Sequence, residues 1–366
     1  MTAGAVITGS AQAFPATVEQ DLLWSGFFSG HYSANGSSSA AAGAGVSARV
    51  GRRIFASAGV RTRHAAVNPL DEDISGWGTG ARMERYVAEA MPLGKEAAGA
   101  ALASAGLDAA DVGLFAVASC TGYTTPGVDI QLARDLGMSD RVQRLVVGHM
   151  GCYAALPALG AVSDFVVARG RPALLLCLEL TSLHVQPPSD DVDQMVAHAL
   201  FSDAAAALVL QPGTGPAAPA GLSVVDIVAR TDASTADHMT WDVTDLGFRM
   251  GLSPRVPDVL AEHVGGVVDG LLARNGLRYA DIDGWAVHPG GPRILDVVGD
   301  RLGLPAGALD ASRSTLRDHG NCSSSTVLLV LEELRRTHLP RPGGYAVAMA
   351  FGPGLTLYAA LLRSAG

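Results

Sequence analysis

The sequence predicts an α/β protein whose sheets are covered by helices and arranged in two halves of similar organisation. Short apolar runs alternate with longer segments of helical spacing along the 366 residues, a pattern typical of sheets with helices on both faces. A stretch rich in Pro, Gly and Ala at residues 211–221 interrupts the alternation, which then restarts. We therefore predict halves at residues 1–211 and 222–366, joined by this linker and related by an internal duplication.

The first half contains five predicted strands, because short apolar runs bounded by turn residues are typical of buried strands. They lie at residues 5–9, 112–118, 142–147, 173–179 and 204–210. Helical spacing of apolar residues predicts the main helices, at residues 83–105, 130–136 and 154–167, with another beginning near Thr17. Residues 33–48 are small and low in complexity, and we expect a mobile surface loop there.

The second half repeats this organisation by the same criteria. Apolar runs predict strands at residues 224–229, 284–287, 345–350 and 355–362. Helical spacing predicts the connecting helices at residues 257–275, 294–302 and 324–336.

Composition excludes several classes of protein. Hydrophobic residues make up 48% and charged residues 17% of the chain, as in a well-buried globular protein. A net charge of −9 without a long basic run argues against a nucleic-acid partner. The four cysteines form no CxxC pair or His/Cys ligand spacing, so neither a metal site nor a disulfide framework is expected. No apolar run is long enough to span a membrane and no signal peptide is recognisable, so we expect a cytoplasmic protein.

Cys152 lies between the predicted strand at 142–147 and the predicted helix at 154–167. The amino end of a helix favours a thiolate, the nucleophilic form of cysteine. The alternative is a small core residue, since free cysteines are commonly buried. The position alone leaves both interpretations open.

A histidine and an asparagine lie in glycine-containing loops of the second half. His288 ends a predicted strand and precedes Pro289-Gly290-Gly291-Pro292, a loop that brings backbone close to a ligand. Asn321 follows Gly320 and precedes a predicted helix. Each could be structural: the histidine a donor to backbone, the asparagine a helix cap.

Together the three residues form a consistent chemical set. Histidine near the sulfur can stabilise a thiolate, and histidine and asparagine N–H groups can stabilise an enolate or a thioester oxyanion. No third acidic residue is conspicuous, which favours acyl transfer to carbon over hydrolysis.

Several motifs, in order from about residue 5 to residue 362, resemble the type III polyketide synthases, the chalcone-synthase-like branch of the thiolase superfamily. They are Gly151-Cys152, Pro188-Ser189-Asp190, residues 199–206, His288-Pro289-Gly290-Gly291-Pro292, Gly320-Asn321 and residues 351–356. The resemblance implies a homodimeric, five-layer αβαβα thiolase fold. It also implies that Cys152 loads an acyl starter from a coenzyme A thioester. His288 and Asn321 would then stabilise the enolate formed from malonyl-CoA by loss of CO₂.

The resemblance further implies a set of substrate-binding residues. Phe201 and Phe248 correspond to gatekeepers, although both could be ordinary core residues. Arg53 corresponds to a position that binds a phosphate of coenzyme A. It is one of five arginines between residues 49 and 63, which form either a solvated face or an anion site. The other implied pocket residues are Cys120, Thr181, His184, Gly290, Ser323 and Pro353.

Two departures from chalcone synthases bear on the product. Cys120 stands where plant members have threonine and resembles bacterial tetrahydroxynaphthalene synthases. His184 stands where plant members have a small residue, and we expect it to shorten or redirect the cavity. The segment at residues 241–248 looks more like alkylresorcinol and alkylpyrone synthases, so the product class is open between these.

The resemblance therefore predicts iterative decarboxylative Claisen condensation, giving a small aromatic or pyrone product. No cofactor is expected, because coenzyme A thioesters are substrates, and an acyl carrier protein is the alternative carrier. Three other functions remain open: a single-condensation β-ketoacyl-carrier-protein synthase, a cysteine thioester hydrolase, and a non-catalytic acyl-binding subunit.

Overall fold

The structure, a computed structural model, describes residues 4–33, 41–213, 220–338 and 340–365. Its strands are β1 (Ala5–Ala13), β2 (Thr17–Glu19), β3 (Thr62–His64), β4 (Leu114–Ser119), β5 (Gln143–Gly148), β6 (Ala173–Glu179), β7 (Ala204–Pro212), β8 (Gly221–Thr231), β9 (Met239–Thr244), β10 (Gly247–Leu252), β11 (Ile282–Val287), β12 (Tyr345–Gly352) and β13 (Thr356–Ala365).

The helices connect these strands and cover the sheet. They are α1 (Gln20–Leu23), α2 (Ser29–Ser33), α3 (Ala41–Ser57), α4 (Thr79–Ser104), α5 (Val128–Asp135), α6 (Ala155–Arg169), α7 (Val192–Leu200), α8 (Val256–Arg274), α9 (Pro292–Leu302), α10 (Asp310–His319) and α11 (Thr326–His338).

Nine strands form one sheet in the order β11-β12-β13-β8-β1-β7-β6-β4-β5. On one side of the central pair the order is β1, β7, β6, β4 and β5, and on the other side it is β8, β13, β12 and β11. On both sides the first strand in sequence is followed by the last strand of that side and then by earlier ones. The central pair is antiparallel and joins the two sides through residues 5–7 and 222–224. This shared strand order matches the internal duplication expected from the sequence. The boundaries of the halves, at residues 211 and 222, stay a prediction.

The elements pack in five layers. Helices α6 and α11 lie at the centre and contact strands from both sides of the sheet, in a core formed largely of Ala, Leu and Val. Helices α4 and α5 cover the outer face of the β4–β6–β7 side. Helices α8 and α9 cover the outer face of the β11–β12–β13 side. The αβαβα arrangement is therefore confirmed.

One helical stretch, Gly151–Arg169, is apolar and long enough to span a membrane by length and composition. It is largely buried, because it includes the central helix α6. Its apolar character is explained by a core that surrounds it on both faces, consistent with a soluble protein.

Two sequence expectations about loops are wrong in part. The predicted mobile loop at 33–48 overlaps helix α3, which begins at Ala41; residues 34–40 lie outside the described residues. Alanine favours helix strongly, and the later part of α3 packs against α7. The predicted linker at 211–221 is strand at both ends, in β7 and β8, and its residues 214–219 lie outside the described residues.

Candidate active site

Cys152 lies in a 3₁₀ turn, Gly151–Tyr153, between β5 and α6. Gly151 has a φ of 78°, and a Cβ atom there would lie 2.7 Å from Cδ of Pro353. Only glycine meets both demands without strain. The contact places Pro353, from the turn between β12 and β13, directly against the cysteine loop.

His288 directly follows the last residue of β11, where its backbone N–H donates to the carbonyl of Met349 at 2.8 Å. The imidazole is buried and lies edge-to-face on Phe351, with ring centroids 5.6 Å apart. Among the described residues neither ring nitrogen has a hydrogen-bond partner. Buried polar atoms are normally paired, so this ring is arranged to meet a ligand.

Asn321 is oriented by its own loop. Its side-chain Oδ1 accepts a hydrogen bond from the N–H of Ser323 at 2.9 Å and another from Oγ1 of Thr326 at 3.4 Å. Because the oxygen is occupied, the amide NH₂ is the part of the side chain available to a ligand. Asn321 can therefore donate to an oxyanion, and its role as an oxyanion donor stays a prediction.

A cavity of about 490 Å³ brings the three residues together. Cys152, His288 and Asn321 line it with Gly290 and Phe201, at one end of a passage walled by residues of α3, α7 and α9. Three loops from distant parts of the chain therefore meet at one site. This cavity is large enough for an extended small-molecule ligand.

Burial sets the ionisation of the pair. It raises the pKa of the Cys152 thiol to about 12, and the charge of Glu179 acts in the same direction, although hydrogen bonds involving Ser323 and Asn321 oppose the shift. Burial also lowers the pKa of His288 to about 3. This desolvation opposes the helix terminus, and a low-pKa thiolate at Cys152 stays a prediction. Burial therefore favours the uncharged form of both groups.

A second cavity, of about 20 Å³, lies beyond Phe201. Cys120, Thr181, Ser323 and Pro353 line it together with Cys152 and Phe201, so four further predicted residues lie at the site. Trp241 and Met250, which the sequence analysis did not select, also line it. Trp241 donates from Nε1 to the carbonyl of Cys120 at 2.7 Å and so closes much of this inner space.

Phe248 and His184 line a third, neighbouring cavity of about 50 Å³, which Thr181 and Phe201 also line. Their rings stack, with centroids 4.5 Å apart. Met250, rather than Phe248, lines all three cavities together with Phe201. A gatekeeping role for Phe248 stays a prediction, and the geometry favours Met250 for it.

His184 is held by two hydrogen bonds. Its Nε2 donates to the carbonyl of Thr121 at 2.7 Å, and its Nδ1 accepts from the N–H of Phe248 at 3.0 Å. Burial lowers the pKa of the ring to about 3, so the imidazole is neutral. It therefore shapes the cavity through the residues that it holds.

Glu179, at the end of β6, is a fully buried carboxylate that the sequence analysis did not select. It accepts hydrogen bonds from the N–H of Cys120 at 3.0 Å and from Oγ1 of Thr121 at 2.8 Å, and a short one from Ser324. Burial raises its pKa. It ties β6 to the Cys120 turn and to the start of the segment that follows Asn321.

The five arginines between residues 49 and 63 do not form one surface. Arg53 is exposed on α3, next to Ile54, which lines the large cavity. Arg63 is buried and donates to backbone carbonyls. Arg293, near the start of α9 and missed in the sequence analysis, lines the large cavity with an exposed side chain.

A buried thiol, an imidazole and a carboxamide around one passage define a thiol-dependent acyltransferase. Comparison with known proteins agrees. Residues 73–216 match the N-terminal domain of chalcone and stilbene synthases, and residues 223–366 match the C-terminal domain. The chain belongs to this family and is a type III polyketide synthase. The other functions left open by the sequence have no support among these relatives.

Similar proteins include a 1,3,6,8-tetrahydroxynaphthalene synthase of Streptomyces peucetius subsp. caesius, 39% identical over 85% of this chain and 83% of that protein. An alpha-pyrone synthesis polyketide synthase-like protein of Mycobacterium tuberculosis is 34% identical over 83% of this chain and 80% of that protein. The crystal structure of tetrahydroxynaphthalene synthase from Streptomyces coelicolor has a TM-score of 0.87 and 26% identity, covering 99% of each chain.

Proposed function

We propose that this enzyme condenses malonyl-CoA units repeatedly onto an acyl starter held on Cys152 and releases a small cyclised product. The observation that carries the proposal is the 490 Å³ cavity on which Cys152, His288 and Asn321 meet. The chemistry needs a nucleophile, a proton acceptor and an oxyanion site, and these three residues supply them.

Loading begins when the neutral imidazole of His288 accepts the Cys152 proton. The sulfur attacks the starter thioester carbonyl, and coenzyme A leaves as a thiol after taking that proton back. Malonyl-CoA then loses CO₂, and the electron pair of the broken C–C bond becomes an enolate. N–H groups of His288 and Asn321 stabilise its oxygen. The enolate carbon attacks the acyl carbonyl, and the Cys152 thiolate leaves.

The small inner cavity favours a compact product. Trp241 and Met250 leave about 20 Å³ beyond Phe201, so chain growth there requires side-chain movement. The relatives named for tetrahydroxynaphthalene and alpha-pyrones support an aromatic or pyrone product. An alkylresorcinol-like product needs a longer starter, which this space accommodates less well.

Arg293 lines the large cavity and Arg53 lies beside it, and both carry the exposed positive charge needed to bind the phosphates of coenzyme A. The only ion pair found for Arg293 within the described chain is with Asp258 at 3.6 Å, with both side chains mostly exposed, and such a pair contributes little. Arg53→Gln and Arg293→Gln should raise KM for malonyl-CoA and leave KM for malonyl-pantetheine, which lacks the nucleotide phosphates, unchanged. Equal KM values for malonyl-CoA in both variants and the wild type would instead favour an acyl carrier protein.

The enzyme is proposed to be a cytoplasmic homodimer that needs no cofactor or metal. No cluster of His, Cys, Asp or Glu suited to a metal was found in the described residues. Strand β5 lies at the edge of the sheet with Val146 59% exposed, and an apolar edge strand is a common pairing surface.

Incubation with malonyl-CoA alone, followed by mass spectrometry, tests the function. We expect CO₂ and an oligoketide, and loss of product in Cys152→Ser. Free malonate would indicate a thioester hydrolase, and a single β-ketoacyl product would indicate one condensation only. Unchanged turnover in Cys152→Ser would show that Cys152 does not load the starter.

A further inference from the structure

Arg63 is a buried cation in an unusual setting. It is 5% exposed, follows Thr62 in β3, and lies near the rings of Phe28 and Phe55, 5.9 and 5.6 Å from its guanidinium carbon. No carboxylate lies within ion-pair distance among the described residues, and Nε and Nη2 have no hydrogen-bond partner there. Burying a cation without a counter-ion is costly, and this cost points to a functional role for the hydrogen bonds that Arg63 makes.

Nη1 makes both of the hydrogen bonds found for this guanidinium. It donates to the carbonyl of Phe201 at 2.9 Å and to that of His198 at 2.5 Å. His198 is itself fixed, because its ring contacts Tyr32 and accepts from the backbone of Gln186. Arg63 therefore holds the end of α7 and the backbone of Phe201. Phe201 forms the neck between the large cavity and the small inner cavity, because it lines both.

The segment around Phe201 also holds Asn321. The N–H of Asn321 donates to the carbonyl of Leu200 at 2.8 Å, and the N–H of Ser202 donates to the carbonyl of Asn321 at 2.9 Å. These bonds flank Phe201, whose own carbonyl is bound by Arg63. On the other side, a Cβ atom at Gly320 would lie 3.4 Å from Cβ of Arg63.

We propose that Arg63 is a positioning residue that sets the backbone from which Asn321 reaches the developing enolate. This inference rests on the proposed function and deepens it. It removes Arg63 from any coenzyme A phosphate site and gives it an indirect role in decarboxylation. Lysine keeps the charge but carries its donors on a flexible ammonium group, so it should not hold a donor as firmly between the two carbonyls as the rigid planar guanidinium holds Nη1.

The test separates loading from decarboxylation. In Arg63→Lys, the acyl adduct on Cys152 should still form, measured by intact-protein mass after incubation with a starter thioester. CO₂ release from malonyl-CoA should fall about tenfold to a hundredfold in kcat with little change in KM, as expected for a misplaced catalytic group. Arg61→Lys is the matched control, because Arg61 is exposed and pairs with Asp318 at the surface.

A double-mutant cycle distinguishes positioning from general loss of structure. Because Arg63 acts through Asn321, Arg63→Lys should cost little further CO₂ release in an Asn321→Ala background. An equal loss in both backgrounds, or an Arg63→Lys variant with wild-type kcat, would overturn the inference. If Arg63→Lys does not fold, Phe55→Leu loosens the guanidinium while keeping its charge, and unchanged CO₂ release would then overturn it. Wild-type enzyme that releases no CO₂ would instead refute the proposed function.

Discussion

At the scale of single residues, desolvation governs the reactive groups. Cys152 and His288 are buried and shifted in opposite directions, the thiol towards a higher pKa and the imidazole towards a lower one. Both shifts favour the uncharged form. In the proposed mechanism the neutral imidazole accepts the thiol proton and returns it to coenzyme A. The ring is then neutral again and has one N–H to offer to an enolate oxygen.

This state of His288 predicts a pH profile. A pKa lowered from 6.5 to about 3 means that the ring stays neutral as the pH falls, until it approaches that value. In Cys152→Ala, which removes the thiol, CO₂ release from malonyl-CoA should therefore be constant between about pH 8 and pH 5. A fall with a midpoint near the ordinary histidine pKa would contradict it. His288→Gln should release CO₂ much more slowly at every pH.

The two hydrogen bonds of His184 lead to a prediction about the stability of the fold. Replacement by threonine leaves the carbonyl of Thr121 and the N–H of Phe248 without the partners that the ring supplies. We expect His184→Thr to lower the free energy of unfolding by about 1–3 kcal/mol, measured by urea denaturation. His184→Gln keeps a donor near the Nε2 position and should lose less. If His184→Thr lengthens the product without loss of stability, the residue only fills space.

At the scale of elements, the β9–β10 hairpin supplies side chains that line the cavities at the site. Strand alternation brings Trp241, Phe248 and Met250 to the cavity side, in a register that pairs Met250 with Trp241. Trp241 also contacts the rings of Phe201 and His184. The hairpin therefore couples the neck at Phe201 to the inner cavity.

Replacing a large side chain of the β9–β10 hairpin with a small one should widen the range of acyl starters that the enzyme accepts. Trp241→Ala removes the ring from the 20 Å³ cavity and breaks the hydrogen bond to the carbonyl of Cys120. We expect kcat/KM for a long-chain acyl-CoA starter, relative to a short one, to rise by about tenfold or more. Trp241→Phe, which keeps a large ring, should show a smaller change. Identical starter preferences in Trp241→Ala and wild type would show that other residues limit the cavity.

At the scale of the whole molecule, the sequence predicted what local pattern can encode. The strand predicted at 173–179 coincides with β6, and Cys152, His288 and Asn321 meet at one cavity. Trp241, Met250 and Arg63 escaped prediction because their roles depend on contacts between distant segments, such as Trp241 with Cys120. Helix α10 was missed because its polar sequence has few apolar residues to set a period.

Assembly of two chains is the remaining prediction at this scale. Strand β5 pairs with β4 on one side, and among the described strands none pairs with its other edge. Val146 is 59% exposed, while Leu145 and Val147 are half-buried, and an edge strand with an exposed apolar side chain favours pairing with another chain. β5 also leads directly into the Cys152 turn, so a partner there would brace the nucleophile.

We therefore expect wild-type enzyme to sediment at twice the 37.5 kDa chain mass, and Val146→Asp to sediment as the single chain, because a carboxylate buried at the interface is costly. Val225→Asp is the matched control, a similarly exposed valine on β8, and should remain dimeric. Loss of activity that follows dissociation in Val146→Asp would tie the Cys152 turn to assembly. A dimer that survives Val146→Asp would place the interface elsewhere on the molecule.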